Sequence, residues 1–374
     1  MRITMREVAE RAGVSKATVS YVLNGRDEMM RIPDETKQRI LLAVRELDYH
    51  PNAIARSLAH SSTHTIAVVM QFPSLFAGWS GFTNELMHGV TDAAVIEGYD
   101  VLLQTRNPLA SWQNTHSSMV QAEVANLTDG RVDGALLLRD RNDPLPQLLQ
   151  ERGLPLVLMF THTDEDHTWY VDCDNFIGGR IATEHLISLG HTRIAHLTGP
   201  PHSVAAQERK QGYHQALAHA GIQDRATFVL EVRGPDASFG EIADLFAQPA
   251  SQRPTALFAW SDDVAIQAMQ ALRKQGLSVP DDVAIVGFDS TALCDHTDPP
   301  LTSVRQPVYD MAARSLRLLT AKLRNESPEQ TQFRVVPELV VRRSCGARSI
   351  RPSAAIVAVE RRQEEGHAAP GKQA

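Results

Sequence analysis

The chain has 374 residues, 43% hydrophobic and 22% charged, with a net charge of −7; this is the composition of a soluble globular protein long enough for two or three folding units. No uncharged apolar run reaches the length that spans a bilayer, and the opening MRITMREVAERAG has neither the apolar core nor the cleavage site of an export signal, so a cytoplasmic protein with no membrane partner is expected. The acidic balance would exclude a nucleic-acid partner only if it were evenly spread, and it is not: residues 1–60 hold ten Lys and Arg against eight Asp and Glu, a surplus of +2 that leaves −9 for the remainder. The first sixty residues are therefore the part able to meet phosphates, joined to a body that repels them.

Within that part, TMREVAERAGVSKATVSYVLNG is punctuated as two short helices. Thr4 and Glu7 have the spacing of a capping box, and the helix Met5–Ala12 places Met5, Val8, Ala9 and Ala12 on one face. Gly13 takes the turn, Ser15 caps a second helix whose Val19, Val22 and Leu23 face back to the first, and Asn24-Gly25 stops it. A third helix from about Pro33 to Leu47 closes the set with Ile40, Val44 and Leu47. The residues left outward on the second helix, Lys16, Ala17, Thr18, Ser20 and Tyr21, are small or polar. In a helix-turn-helix this is the face that enters the major groove, where Lys16 can donate to guanine, the Ala17 methyl can touch thymine and Tyr21 can reach a base edge or a phosphate.

Pro51 ends the third helix, and NAIARSLA after it offers an N-cap, Asn52, and only two turns of helix. So short a helix forms only when something holds it. From Thr65 the pattern becomes apolar runs (TIAVVM, DVLLQT, GALLLR, PLVLM, RIAHLTG, ALFAW, VAIVGFD) alternating with helical stretches such as 83–97, 177–189, 208–220 and 263–275. Strand and helix in alternation mean parallel sheets covered on both faces, and there are enough strands for two Rossmann-like subdomains with a cleft between them, ligands binding beyond the carboxyl ends of the strands.

The same body offers no catalytic constellation. GWSG at 78–81 lacks the final glycine of a nucleophile elbow, and neither a P-loop nor a dinucleotide fingerprint occurs; an enzyme is not expected, and no cofactor. The run from His162 to His167 has metal-binding residue types but sits in a polar loop and reads as solvent-facing. Cys173, Cys294 and Cys345, widely spaced with no C-x-x-C pair, read as reduced thiols packed as small hydrophobes. After Cys345 the chain is rich in Gly, Ala, Pro and clustered charge and reads as a mobile tail.

VAERAGVSKATVSYVLNG followed by LDYHPNAIARSLA resembles the head and hinge of the lactose-repressor (LacI) family, and the similarity continues through VDCDN (171–175), RKQGY (209–213), SDDVAIQAM from Ser261, VAIVGFD ending at Asp289 and PPLTSVRQP from Pro299. The resemblance implies an all-α three-helix head on an α/β periplasmic-binding-protein-like body, divided as head 1–50, hinge 51–62, two-lobed body 63–346 and tail 347–374. It implies a homodimer or tetramer gripping a near-palindromic double-stranded operator, whose affinity a small effector controls, with repression as the default. Thr4, Ser15, Lys16, Ala17, Thr18, Ser20, Tyr21 and Asn24 in the head and Asn52, Ala55 and Leu58 in the hinge are the residues it sets at the DNA, Leu58 as a wedge between base steps. Arg209, Ser261 and Asp289 match effector-holding cleft positions. Arg and a carboxylate suit the vicinal hydroxyls of a sugar, and Trp260, Phe288 and Trp79 are candidate aromatic covers for the ring, or core. Near the first strand MQFPSLFAGWSGF replaces the family's usual Asp and Asn-Pro-Phe-Phe lead-in, which leaves a purine open beside a sugar. A solute-binding module without DNA function is the alternative from another class.

Overall fold

A computed structural model describes residues 3–25, 27–50, 62–70, 81–104, 116–140, 142–223, 228–232 and 238–347. The hinge residues Asn52, Ala55 and Leu58, the segment with Trp79 and the tail lie outside the described residues. The chain divides into two units, residues up to 65 with 130–133, and the rest.

The first unit is built on three helices, α1 (Met5–Ala12), α2 (Lys16–Leu23) and α3 (Asp34–Glu46). Each boundary has a local cause. The Glu7 carboxylate accepts from the Thr4 N–H at 2.7 Å and its hydroxyl at 2.8 Å; Gly13 ends α1 at φ 66°, a left-handed value that costs glycine little; and the Ser15 hydroxyl accepts from the Thr18 N–H at 3.1 Å to start α2. Val8, Ala9, Ala12, Val19, Val22, Ile40, Ala43 and Tyr49 form the buried centre. In the loop between α2 and α3 the buried Asp27 receives Lys37 Nζ at 2.6 Å, which holds the Asp27 carboxyl below its ordinary range. Further on, Asp133 accepts from the Ser62 hydroxyl (2.6 Å) and from the backbone N–H groups of Thr63 (2.6 Å) and His64 (2.9 Å), tying down the start of the body.

The second unit holds two six-stranded sheets. β1 (Thr65–Met70), β2 (Asp100–Gln104), β3 (Gly134–Leu138), β4 (Leu156–Met159) and β5 (Tyr170–Cys173) belong to the first, with helices α4 (Gly81–Glu97), α5 (His116–Leu127) and α6 (Leu145–Glu151) between them. β6 (Ile194–Thr198), β7 (Val229–Glu231), β8 (Ala256–Ala259), β9 (Ala284–Asp289) and β10 (Thr302–Arg305) belong to the second, with α7 (Asn175–Ser188), α8 (Val204–His219), α9 (Ser238–Phe246) and α10 (Asp262–Lys274). α11 (Val308–Leu323), β11 (Gln332–Val335) and β12 (Glu338–Val340) follow.

The strand orders are β11-β5-β4-β3-β1-β2 and β12-β10-β9-β8-β6-β7. Every pairing with an assigned register is parallel except β10 with β12, for example Val68 opposite Leu136 in one sheet and Phe258 opposite Val286 in the other. Apolar strands buried on both faces are what helix-covered parallel sheets demand. The lobes are not consecutive in the chain. After β5 the chain leaves the first lobe for α7, which packs on the second sheet; after β10 it returns, α11 packing on α4, β3, β4 and β5; and between β11 and β12 it crosses again. Asp174, Gln306-Pro307 and Val336-Pro337 lie at these three crossings.

All three cysteines are buried and free, as the reading of packed thiols expects, yet they are more than small hydrophobes: the Cys294 thiol donates to Asp262 Oδ2 at 3.1 Å, and Cys345 Sγ lies 3.3 Å from His185 Nε2. The 162–167 loop departs from the reading of a solvent-facing segment. His167 is exposed, but His162, three residues past β4 and beside β5, turns inward and is buried, its Nδ1 2.7 Å from Asp172 Oδ2.

Candidate functional site

On α2, Lys16 and Ala17 are exposed and Tyr21 is half-buried, while Val19 and Val22 are buried against the other two helices. The remaining polar residues predicted for this face are partly engaged with one another. Ser15 Oγ lies 2.8 Å from Thr18 Oγ1, Asn24 Nδ2 donates to Ser20 Oγ at 3.2 Å, and the Thr4 hydroxyl is bound to Glu7. These residues set the pitch and the start of α2, and Lys16, Ala17 and Tyr21 are the ones whose side chains project from it.

The second grouping lies beyond the carboxyl ends of the strands of the second sheet. Its basis is the crossing of α7 and α8. A Cβ on Gly179 would stand 2.1 Å from the Arg209 carbonyl oxygen, and one on Gly212 2.2 Å from the Phe176 oxygen, so backbone meets backbone there and only glycine fits. That approach brings Asn175, at the start of α7, to Arg209, in the second turn of α8. Arg209 is 4% exposed. Its Nε donates to Asn175 Oδ1 at 2.9 Å and its Nη1 to the Trp260 carbonyl, while its Cζ lies 3.5 Å from the centroid of the Phe288 ring. A buried guanidinium so held, with an aromatic face beneath it, has its plane fixed.

Asp289 ends β9 at φ 113°, and Ser290 follows at φ 54°, two successive non-glycine residues in left-handed space that the surroundings must enforce. The enforcement comes largely from Asp262, 1% exposed, which accepts from the Thr291 N–H at 2.9 Å and the Ser303 hydroxyl at 2.5 Å; Ser303 Oγ in turn accepts the Ser290 N–H at 3.0 Å. Asp289 itself is buried and receives Gln306 Nε2 at 2.6 Å. Burial pushes its carboxyl well above the ordinary range, against the pull of Arg209, and burial likewise raises Asp262.

Of the predicted cleft residues, then, Arg209, Asp289 and Trp260 come together at one place, Trp260 through its carbonyl and with its ring 5.5 Å from the Arg209 Cζ. Ser261 caps α10, its hydroxyl accepting from the Val264 N–H at 3.4 Å. Phe288 is fully buried and supports the guanidinium from below. Asn175, Gln306 and Asp262 were not singled out by sequence reasoning, although each lies inside a segment quoted for the family likeness (VDCDN, SVRQP, SDD).

A third set of charges adjoins Arg209. Glu208 Oε2 lies 2.8 Å from Arg334 Nη2 and Glu208 Oε1 3.5 Å from His162 Nε2; Arg334 also approaches Asp174 at 3.5 Å. Burial raises the Glu208 carboxyl, with Arg334 and His162 opposing it.

Comparison with known proteins assigns the chain. Residues 4–52 match the model for bacterial regulatory proteins of the lacI family, and residues 183–345 that for a periplasmic binding protein-like domain. The HTH-type transcriptional regulator CelR of Thermobifida fusca is 36% identical over 351 residues, covering 92% of this chain and 98% of the relative. The chain belongs to the LacI family. The HTH-type transcriptional repressor PurR of Aliivibrio fischeri (strain MJ11) is 33% identical over 344 residues, 91% of this chain and 98% of the repressor. Among solved structures, a complex of the regulator CelR with cellobiose matches at TM-score 0.67 and 36% identity, over 92% of this chain and all of that one. A Lac repressor dimer bound to operator and an anti-inducer matches at 0.77 and 25%, over 93% and 100%. This LacI-family chain is thus a DNA-binding transcriptional regulator under ligand control, with a helix-turn-helix head and two α/β lobes. Its relatives are regulators and not enzymes. Among the described residues no helix is long and apolar enough to cross a membrane.

Proposed function

We propose that this regulator is a cytoplasmic homodimer that represses transcription from a near-palindromic operator, and that its effector is a sugar held by Arg209 and Asp289. The observation that carries the sugar reading is the pairing of a rigidly held guanidinium and a buried carboxylate at one set of strand ends. A fixed donor fork beside a fixed acceptor matches the two hydroxyls of a vicinal diol, which can accept from one and donate to the other. Trp260 flanks the pair and is the described aromatic available for the C–H face of the ring. The CelR–cellobiose likeness supports the same class, and the PurR likeness keeps a purine base as the second reading.

In the head, Lys16, Ala17 and Tyr21 read base edges, while Ser15, Thr18, Ser20, Asn24 and Thr4 fix the helix that carries them. Residues 51–62 act as the hinge, with Asn52 capping it and Ala55 and Leu58 at the minor groove. The effector acts only through its different affinity for the two arrangements of the lobes. The test is calorimetric titration of the purified regulator with cellobiose and other saccharides and with hypoxanthine and guanine, beside selection of duplexes from a random DNA pool. A saccharide is expected to bind, to alter the yield of one enriched near-palindrome, and to lose at least tenfold in affinity in Arg209→Lys, which lacks the planar fork. Binding of a purine base and of no saccharide overturns the sugar reading; failure to enrich any duplex overturns the operator reading.

A further inference from the structure

The two lobes are joined covalently at three crossings, and Glu208 joins them a fourth time without a covalent bond. It stands on α8 of the second lobe and reaches two groups of the first: Arg334 Nη2 on β11 at 2.8 Å and His162 Nε2, beyond β4, at 3.5 Å. Neither partner is loosely placed. His162 is anchored through Nδ1 to Asp172 of β5 at 2.7 Å, and Arg334 pairs by backbone register with the same Asp172. Asp140, past β3, lies 3.5 Å from His202, before α8, a second polar contact from the first lobe to the second. The carboxylate of Glu208 is only 16% exposed and the His162 ring 7%, so water screens their attraction far less than that of a surface pair.

We propose that Glu208 is a clasp that holds the lobes in the arrangement seen here and couples it to the ligand site. The coupling is covalent and short: Glu208 is the residue before Arg209, on a helix whose backbone is locked to α7 at Gly179 and Gly212. A ligand that engages the fixed Arg209 guanidinium therefore bears on α8 and α7 together and carries Glu208 with the second lobe, lengthening or relieving its contacts to the first. One lobe arrangement is then stabilised by the clasp and the other by whatever replaces it, which is the differential interaction a two-state regulator needs. The inference rests on the two-state reading above, but its test needs neither effector nor operator.

Single-molecule energy transfer is measured in the full-length protein labelled at Gln121→Cys in the first lobe and Gln270→Cys in the second. Both positions are exposed and the native cysteines are buried. Labelled chains are mixed with excess unlabelled chains, so only distances within one chain are read. Glu208→Gln is expected to raise the fraction of chains in a second, differently separated lobe arrangement by about fivefold, the upper end for one ion pair. Arg334→Gln should do the same, and the double variant should go no further than the larger single effect, because the same contact is lost. Gln211→Ala, one turn along α8, should leave the distribution unchanged. Thermal unfolding of each variant separates a lobe rearrangement from loss of fold, and if Glu208→Gln does not fold, Arg334→Gln alone carries the test, an unchanged distribution there overturning the clasp. An unchanged distribution in Glu208→Gln, or additive effects of the two substitutions, overturns the clasp.

Discussion

His196 lies fully buried in β6, its ring stacked on Phe258 (centroids 4.6 Å apart) and against Tyr213 at 5.2 Å. Nδ1 faces the Phe258 carbonyl at 3.0 Å, so the proton sits there, and Nε2 has no hydrogen-bond partner among the described residues. Protonating the ring would place a charge on a fully buried nitrogen, and burial accordingly pushes its pKa from 6.5 to about 3. The sign follows from linkage: the unfolded chain binds this proton below pH 6.5 and the folded chain does not, so the contribution is intact above pH 6.5 and is lost progressively as the pH falls toward 3. Between pH 7 and pH 5 the loss is about 2 kcal/mol at 1.36 kcal/mol per unit. Glu208, Asp262 and Asp289, whose carboxyls are raised, pull the other way, so the total pH dependence does not isolate the histidine. His196→Phe does, since it keeps the stack and removes the titration. Urea unfolding of both proteins at pH 7 and pH 5 should show the wild type losing about 2 kcal/mol more than the variant over that interval. Equal losses in the two proteins would refute the reasoning, because the buried ring would then be taking up its proton in the folded state.

In the head, Lys16→Ala should leave the thermal midpoint unchanged, the side chain being exposed, and should weaken operator binding by roughly tenfold, the value of one good base contact; full affinity across the enriched duplexes would remove Lys16 from the interface. Gly179→Ala sets a methyl 2.1 Å from the Arg209 carbonyl oxygen, and forcing α7 from α8 should cost about 1–3 kcal/mol in urea unfolding, with effector affinity falling as Arg209 parts from Asn175. A variant as stable as the wild type would show that the helix crossing has room to spare.

How much of this was legible beforehand depends on how far apart in the chain the cooperating residues lie. The head was readable almost residue by residue, because its devices act within three or four positions: the Thr4–Glu7 cap, the left-handed Gly13, the Ser15 cap and the apolar spacing of Val8, Val19 and Ile40. The strands from Thr65, Gly134, Ile194 and Ala284 were equally plain as continuous apolar runs. Shorter strands escaped notice. β5 has an aspartate at its third position and β7 is a three-residue edge, so neither presents an apolar run.

The division of the body into lobes was decided only in three dimensions, since α11 and β11 rejoin the first lobe after the second is nearly complete. The site follows the same rule. Arg209 finds Asn175 across 34 residues and Asp262 finds Ser303 across 41, while Phe288 proves to be the floor beneath the guanidinium. His162 reads as a loop residue until β5 places Asp172 beside it. Local backbone preference and hydrophobic period write helices, caps and buried strands into a sequence, because each is satisfied by neighbours a few residues away. Buried polar groups instead take whatever partner the packed sheets bring to them, and that choice exists only once the chain is folded.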